Sequence, residues 1–162
     1  MLWIFFLYFC SKRTFYNSTP NSMITRFLAQ LKNTEPKRLI IYIVVYFSVG
    51  MLMNAFGTYA EIAKFTHWWQ VISCYLLYMI PISILLRPYS FFSQYAYGLF
   101  FMGIIEFSGY ALGTSYIFPT NILDRMFGPH VFALGMTLFF GLYFPIGNWT
   151  VDKIYTRFFG KK

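Results

Sequence analysis

The sequence predicts an all-α membrane protein with four transmembrane helices, and three observations support that prediction. The 162-residue chain is 58% hydrophobic and 24% aromatic, but only 11% of its residues are charged. A soluble domain usually carries about a quarter charged residues. Apolar stretches recur at lengths close to the roughly 20 residues that a helix needs to cross a bilayer. The basic residues cluster before the first stretch and after the last one, as in proteins oriented by the positive-inside rule.

The predicted spans form one transmembrane domain, residues 39–150. They cover about residues 39–56, 68–86, 92–113 and 130–149. Lipid offers the backbone no hydrogen-bond partners, so only helices and closed barrels cross it. Barrel strands would alternate apolar and polar residues. The first stretch is instead continuously apolar, which favours helices.

The N-terminal region, residues 1–38, is predicted to precede the spans. Residues 1–10 are apolar but too short to span, so they lie in the interface, insert against the helices, or lie upstream of a true start at Met23. Residues 23–32 carry an apolar face opposite basic residues, which predicts an amphipathic helix lying on the membrane surface. An ordinary packed helix is the alternative.

Two prolines and one capping signal shape the rest of the domain. Pro81 and Pro145 are each expected to kink their span, because proline lacks an N–H and crowds the carbonyl four residues earlier. Residues 121–127 predict a short interfacial helix between the third and fourth spans. Thr120 or Asn121 is suited to cap its first turn.

The placement of charge predicts the orientation. Six of the thirteen basic residues precede the first span, and four follow the last one in a basic tail, residues 151–162. An even number of spans puts both the N- and C-termini on the cytoplasmic side or its organellar equivalent. We therefore expect a multi-pass protein of an inner, plasma or organellar membrane. Membrane lipids are the expected partners of the basic tails. Nucleic acid is not, because the cations are not interleaved along a groove.

Glu106 is the acidic residue inside the predicted third span. A charge there costs about 2.5–3.5 kcal/mol on insertion scales, so it needs a reason. Helical spacing places Gly103, Gly109 and Gly113 on the same face. Gly109 and Gly113 form a small-xxx-small pair, which lets another helix come close. Glu106 is therefore predicted to face neighbouring helices and not lipid.

Depth along the helices predicts a polar layer around this carboxyl group. At about 1.5 Å per residue, Asn54, Ser73 (or Cys74), Glu106 and Thr137 reach similar depths in a core about 30 Å thick. We expect these side chains to approach one another. A hydrogen-bonded link between helices, contact with a ligand, and proton or ion handling are all open for Glu106. The structural link is favoured because no second charge lies inside a predicted span.

Catalytic and metal signatures are weak in this sequence. It contains no Ser/His/Asp arrangement, Gly-rich phosphate loop or paired-carboxylate motif of the kinds that mark active sites. His67 and His130 fall at outer ends of predicted spans and are weak candidates for binding a metal or porphyrin. No spacing such as H-x-x-x-H supports them, so no metal is expected.

The leading functional hypothesis is a small, non-catalytic integral membrane subunit. It would pack with other membrane subunits or with copies of itself, and help to hold lipid or an apolar cofactor. The aromatic residues suit a quinone-like or carotenoid-like molecule. The first alternative is a membrane enzyme acting on an isoprenoid or lipid, with Glu106 as acid/base beside Asn54 and Tyr110. The second is an oligomeric transporter or channel that uses Glu106.

Overall fold

The computed structural model is mostly helical in the part of the chain that it describes. The described residues are 25, 28–119, 121–128 and 131–160. For Tyr110 and Phe127 only the backbone is described.

The chain divides into two units, residues 1–33 and 34–162. In the first unit, residues 28–32 are helical. The apolar residues 1–10 and most of the predicted helix over residues 23–32 lie outside the described residues.

Six helices follow one another in the second unit, within its described residues. They are α1 (Pro36–Tyr59), α2 (Trp69–Leu86), α3 (Phe91–Leu112), α4 (Ile122–Phe127), α5 (Phe132–Gly141) and α6 (Tyr143–Phe159). Among the described residues, three helical stretches are long and apolar enough to cross a membrane. They are α1, α2, and α5 with α6 taken together.

Two short strands correct the expectation of an all-α chain. β1 (Ala63–Phe65) pairs antiparallel with β2 (Ser115–Ile117), so the loops after α1 and α3 are hydrogen-bonded together. The chain turns back sharply after α1. A Cβ on Gly57 would lie 2.4 Å from the Ala63 carbonyl oxygen, so only glycine leaves room for this turn. The Asn54 side chain then accepts a hydrogen bond from the Phe65 N–H at 3.0 Å, which fixes β1 against α1.

Helix α2 changes its hydrogen-bonding pattern just before its proline. The backbone is π-helical from Ile72 to Met79, and an α-helical segment, Ile80–Leu86, follows with Pro81 in its first turn. Helix α2 runs on without a break through this point, so Pro81 removes one backbone N–H from its hydrogen-bond ladder. The π-helical segment lies just before Pro81, and π-helical turns are frequent at functional sites. The kink at Pro81 stays a prediction.

The last helical stretch is longer than predicted. A short break at Leu142 separates α5 from α6, and Pro145 occupies the first turn of α6. The helix then continues to Phe159, so the predicted end of the span at residue 149 does not end the helix, and most of the basic tail is helical. Asp152 and Tyr155 both contact Arg38 at the start of α1, which gives this extension tertiary contacts.

Helix α3 packs closely against α5 and α6. A Cβ on Gly98 would lie 2.7 Å from the Gly141 carbonyl oxygen and 2.7 Å from the Phe144 ring. In a membrane, no hydrophobic driving force brings helices together, and small residues promote their association by letting the backbones approach closely. Gly113, by contrast, lies just after α3 with a φ of +60°, and a Cβ there would meet nothing within 4 Å. Helix packing therefore uses other glycines than the pair singled out from the sequence.

The helices alternate in direction. Arg38 at the start of α1, Arg87 just after α2, and Asp152 near the end of α6 meet at one end of the unit, called here the ion-paired end. The paired strands β1 and β2 lie at the opposite end of α1 and α3, called the strand end. Helix α3 begins beside the ion-paired end and leads to β2 at the strand end. Helices α5 and α6 then lead back to the ion-paired end.

Candidate functional site

A cleft of about 460 Å³ lies between α2, α3 and α5 near the strand end. Its walls are mostly apolar and aromatic. Helix α2 contributes Trp69 and Tyr75, and α5 contributes Phe132 and Phe140. A cleft of this volume, with apolar walls and few polar groups, is typical of sites for small molecules and cofactors.

The strands cover the end of the cleft, and a buried glutamine fixes them there. Phe65 of β1 and Ile117 of β2 line the cleft. The Gln70 side chain accepts a hydrogen bond from the His67 N–H at 2.7 Å and donates one to the Thr114 carbonyl oxygen at 2.8 Å. These bonds connect the start of α2 to the end of α3. The strands at this end of the cleft are therefore held in place by hydrogen bonds within the protein.

The lower edge of the cleft is also held by a hydrogen bond. The Tyr78 hydroxyl donates to the Phe101 carbonyl oxygen at 2.6 Å, which links the π-helical segment of α2 to α3. That segment packs mainly against α1, where the Tyr75 ring would lie 2.8 Å from a Cβ on Gly50. Because this part of α2 packs against α1, a space remains between α2 and α3.

Glu106 projects into this space from α3. It lies six residues before Leu112, which places it about 9 Å from the end of the helix. Among the described residues, no side chain or backbone N–H donates a hydrogen bond to its carboxyl group. A carboxyl group accepts hydrogen bonds from hydroxyl or amine groups and, when protonated, donates one to a carbonyl. Glu106 is thus available to a bound molecule.

The structure brings some of the predicted polar layer together and separates the rest. Ser73, Cys74 and Glu106 line the same cleft, as does Gly109. Thr137 lies outside that lining and donates to the Ala133 carbonyl of its own helix at 2.7 Å.

Three of the predicted site residues, Gly103, Thr137 and Asn54, instead contribute to the fold. A Cβ on Gly103 would lie 3.7 Å from the Thr137 methyl group, so these two residues belong to the packing of α3 on α5. Asn54 is held by its bond to β1. It does not line the cleft either.

The residues of the alternative hypotheses do not gather around Glu106. The amide of Asn54 is directed to Phe65, and the Tyr110 side chain lies outside the described residues. The His67 ring stacks on Trp69 at a centroid distance of 5.9 Å, whereas His130 lies outside the described residues. Within the described part of the chain, no group of three His, Cys, Asp or Glu side chains is placed to hold a metal ion.

A second polar cluster, which sequence reasoning did not find, lies on the ion-paired side of the unit. Asn148 is 2% exposed and donates to the Ser83 carbonyl oxygen at 3.0 Å and to the Gln94 side chain at 2.8 Å. It also accepts a hydrogen bond from the Tyr42 hydroxyl. Tyr46, itself buried, bonds to the Ser83 hydroxyl. We call these five residues the amide network.

An ion cluster lies next to the amide network. The Asp152 carboxylate contacts the Arg38 guanidinium and lies 3.2 Å from the Arg87 Nε. Tyr155 stacks on Arg38, with 4.0 Å between the guanidinium carbon and the ring centroid, and its hydroxyl donates to Glu35. The cluster joins α1, α2 and α6 at one end.

A signal for these clusters was present in the sequence. Asn148 and Asp152 are four residues apart and therefore share a helix face, and Arg38 and Arg87 flank predicted spans. What the sequence lacked was the rotation of each helix, which decides whether those residues meet.

No protein-family profile, curated protein or solved structure matches this chain.

Proposed function

We propose that the chain is an integral membrane protein with four transmembrane spans and both termini on the cytoplasmic side. The apolarity of α1, α2 and α5–α6 supports this placement. Helix α3 is 22 residues long, which is enough to cross the roughly 30 Å core at 1.5 Å per residue. The ion pairs among Arg38, Arg87 and Asp152 support the topology, because they put the basic ends of α1, α2 and α6 on one side.

We further propose that it is a non-catalytic membrane subunit that holds a lipid or an apolar cofactor in the cleft. The observation that carries this proposal is Glu106, a carboxyl group without a described protein partner inside apolar and aromatic walls. Leaving a carboxyl group unpaired in a membrane is costly, and a bound molecule with a hydroxyl, amine or carbonyl head would reduce that cost. Its apolar part would lie against Trp69, Phe132 and Phe140.

The outer faces of the helices support residence within a lipid or protein environment. On α1, Ile40, Val44 and Leu52 are 61%, 58% and 65% exposed. Exposed apolar surface on this scale marks contact with membrane or with partner proteins. We propose that part of this surface packs against other subunits or other copies of the chain.

A pair of matched serine variants tests the cleft. Ser73 lines it, whereas Ser108 is exposed on α3 and donates to its own helix. The chain is purified in mild detergent, and non-protein molecules are extracted and quantified by mass spectrometry. We expect wild type and Ser108→Phe to retain about one such molecule per chain. Ser73→Phe should retain several-fold less, because the new ring fills the cleft.

A second variant separates loss of the ligand from loss of the fold. Glu106→Gln has nearly the same shape, so it should elute like wild type in size-exclusion chromatography. Its co-purified molecule should fall several-fold, because the amide changes the donor and acceptor pattern offered to the head group. Wild type that carries no such molecule, or equal retention in all variants, would show that the cleft is not a ligand site.

The assembly is tested separately. The tagged chain, extracted from its native membrane in digitonin, should migrate above the monomer and bring specific membrane partners or further copies of itself. A stable lone monomer would contradict the subunit role and leave the ligand proposal standing.

A further inference from the structure

The second half of α6 carries an open groove with an excess of positive charge. Its lining includes Trp149, Asp152, Lys153, Thr156 and Arg157. The Asp152 carboxylate already contacts two guanidinium groups. Among the described residues, neither Lys153 nor Arg157 has a carboxylate within ion-pair distance. The groove is therefore positive.

The groove also has an apolar side that continues into the proposed span. The Lys153 ammonium lies 4.2 Å from the centroid of the Trp149 ring, and Trp149 is 57% exposed. Ile146, one helical turn before Trp149, is 48% exposed. Tryptophan favours the headgroup level of a bilayer, and residues three and four apart share a helix face. On α6, a basic turn with Lys153 and Arg157 thus directly follows an exposed apolar turn with Ile146 and Trp149.

We propose that this groove binds the headgroup of an anionic phospholipid. Lys153 and Arg157 bind the phosphate and any further headgroup charge, since arginine binds phosphate through two parallel hydrogen bonds and lysine binds it as a point charge. The Thr156 hydroxyl donates a further bond. The glycerol and the first acyl carbons lie against Trp149 and Ile146. This inference rests on the membrane placement proposed above, but not on the cleft, which lies at the other end.

The amphiphilic character of the groove selects a lipid over a soluble anion. Free phosphate would use the cations and leave the exposed faces of Trp149 and Ile146 in water. An anionic phospholipid satisfies both, and its position in the leaflet matches the end of a span. Basic residues close to a membrane surface each contribute about 1 kcal/mol to anionic lipid binding, which is about a fivefold change in affinity per residue.

The chain supplies a matched control at its strand end. Lys64 is also an exposed lysine over aromatic rings, with its ammonium 5.4 Å from the Tyr116 centroid and 5.6 Å from that of Phe118. Lys64→Gln and Lys153→Gln therefore remove the same charge from similar surroundings at opposite ends. Among the described residues, no second free cation lies four residues along the chain from Lys64.

The experiment compares bound lipids by native mass spectrometry. The full chain is exchanged into micelles containing equal amounts of phosphatidylglycerol and phosphatidylcholine, and the ratio of bound lipids is measured. We expect Lys153→Gln and Arg157→Gln each to lower that ratio about fivefold. Lys64→Gln should leave it within about twofold. In wild type, a shorter Debye length at higher salt should lower it as well.

Three results would overturn the inference. The first is an unchanged lipid ratio in the Lys153→Gln and Arg157→Gln variants. The second is an equal fall in Lys64→Gln, which would mean that net charge alone selects the lipid. The third is displacement of phosphatidylglycerol by inorganic phosphate beyond the effect of chloride at matched ionic strength. Vesicle flotation tests the membrane placement independently, since a chain that fails to insert into phosphatidylcholine vesicles has failed at that earlier step.

Discussion

The amide network and the cleft differ in how their polar side chains are hydrogen-bonded. In the amide network, the Asn148 side chain bonds to Tyr42, Gln94 and the Ser83 backbone. Near the strand end, Glu106 lines a cleft and receives no hydrogen bond from the described residues. A satisfied buried network stabilises and specifies a fold, whereas an unsatisfied group requires another explanation. The amide network therefore holds the helices together, whereas the cleft is the place where we propose that a partner molecule binds.

The two ends of the helical unit also differ in their charge. At the ion-paired end, two arginines share one carboxylate, and further cations lie along α6. The strand end holds Lys64 over two rings and no ion pair among the described residues. This asymmetry agrees with the proposed orientation, in which the more basic end faces the cytoplasm.

The largest loss of stability is expected from a substitution that breaks the amide network. Asn148→Ala leaves the Tyr42 hydroxyl, the Gln94 side chain and the Ser83 carbonyl without a bond that each now has. Because unsatisfied buried polar groups cost about 1–3 kcal/mol each and partly relax, we expect the free energy of unfolding to fall by about 2–4 kcal/mol. Circular dichroism during a denaturant titration in micelles measures it.

Asn54→Ala is the control for that variant. Its side chain receives one described hydrogen bond, from Phe65, and the site is half-buried. The expected loss is about 1 kcal/mol. Equal losses in the two variants would mean that the amide network holds no special share of the stability.

An intermediate effect is expected where α3 crosses α5. Gly98→Ala places a methyl group 2.7 Å from the Gly141 carbonyl oxygen, and overpacking of this kind typically costs about 1–3 kcal/mol. Gly135→Ala is the same change on α5, where a Cβ meets nothing within 4 Å. It should be neutral or stabilise by up to about 1 kcal/mol. The same titration distinguishes them, and a loss in Gly135→Ala that matches Gly98→Ala would contradict the proposed crossing.

The smallest effect on stability is expected in the cleft. Glu106→Leu removes a carboxyl group that has no described protein partner, and apolar replacement of such a group is often neutral or stabilising. In delipidated protein, the free energy of unfolding should change by less than about 0.5 kcal/mol or rise. A fall of more than about 1.5 kcal/mol would instead make Glu106 a hydrogen-bonded link between helices, and the contrast between the two clusters would disappear.

The sequence predicted more of the helices than of their contacts. The observed α2 and α3 begin and end within one residue of the predicted second and third spans, because continuous apolarity and flanking polar residues mark such helices locally. The short helix α4 begins after Asn121, whose side chain accepts from the Leu123 and Asp124 N–H groups at 3.0 Å each. That cap depends on neighbours in the chain, so a local pattern was enough to find it.

The candidate site was predicted only in part. The sequence placed Glu106 at the level of Ser73 and Cys74, and all three line the cleft. It also grouped Asn54 and Thr137 with them, but depth along a helix does not give the rotation of that helix about its axis. In the structure, Asn54 bonds to β1 and Thr137 bonds to its own helix.

Composition, hydropathy and charge placement by themselves determined the helical class, the positions of the helices and the presence of one acidic residue within an apolar helix. These properties depend on residues close together in the chain. The tertiary structure alone decided that β1 pairs with β2 from about fifty residues away and that α2 contains a π-helical segment. It also decided that Asn148 and Asp152 have partners, while Glu106 receives no hydrogen bond from the described residues. Such outcomes depend on how separate helices rotate and approach, because a side chain's partners are set by the neighbouring helices and not by its position in the sequence.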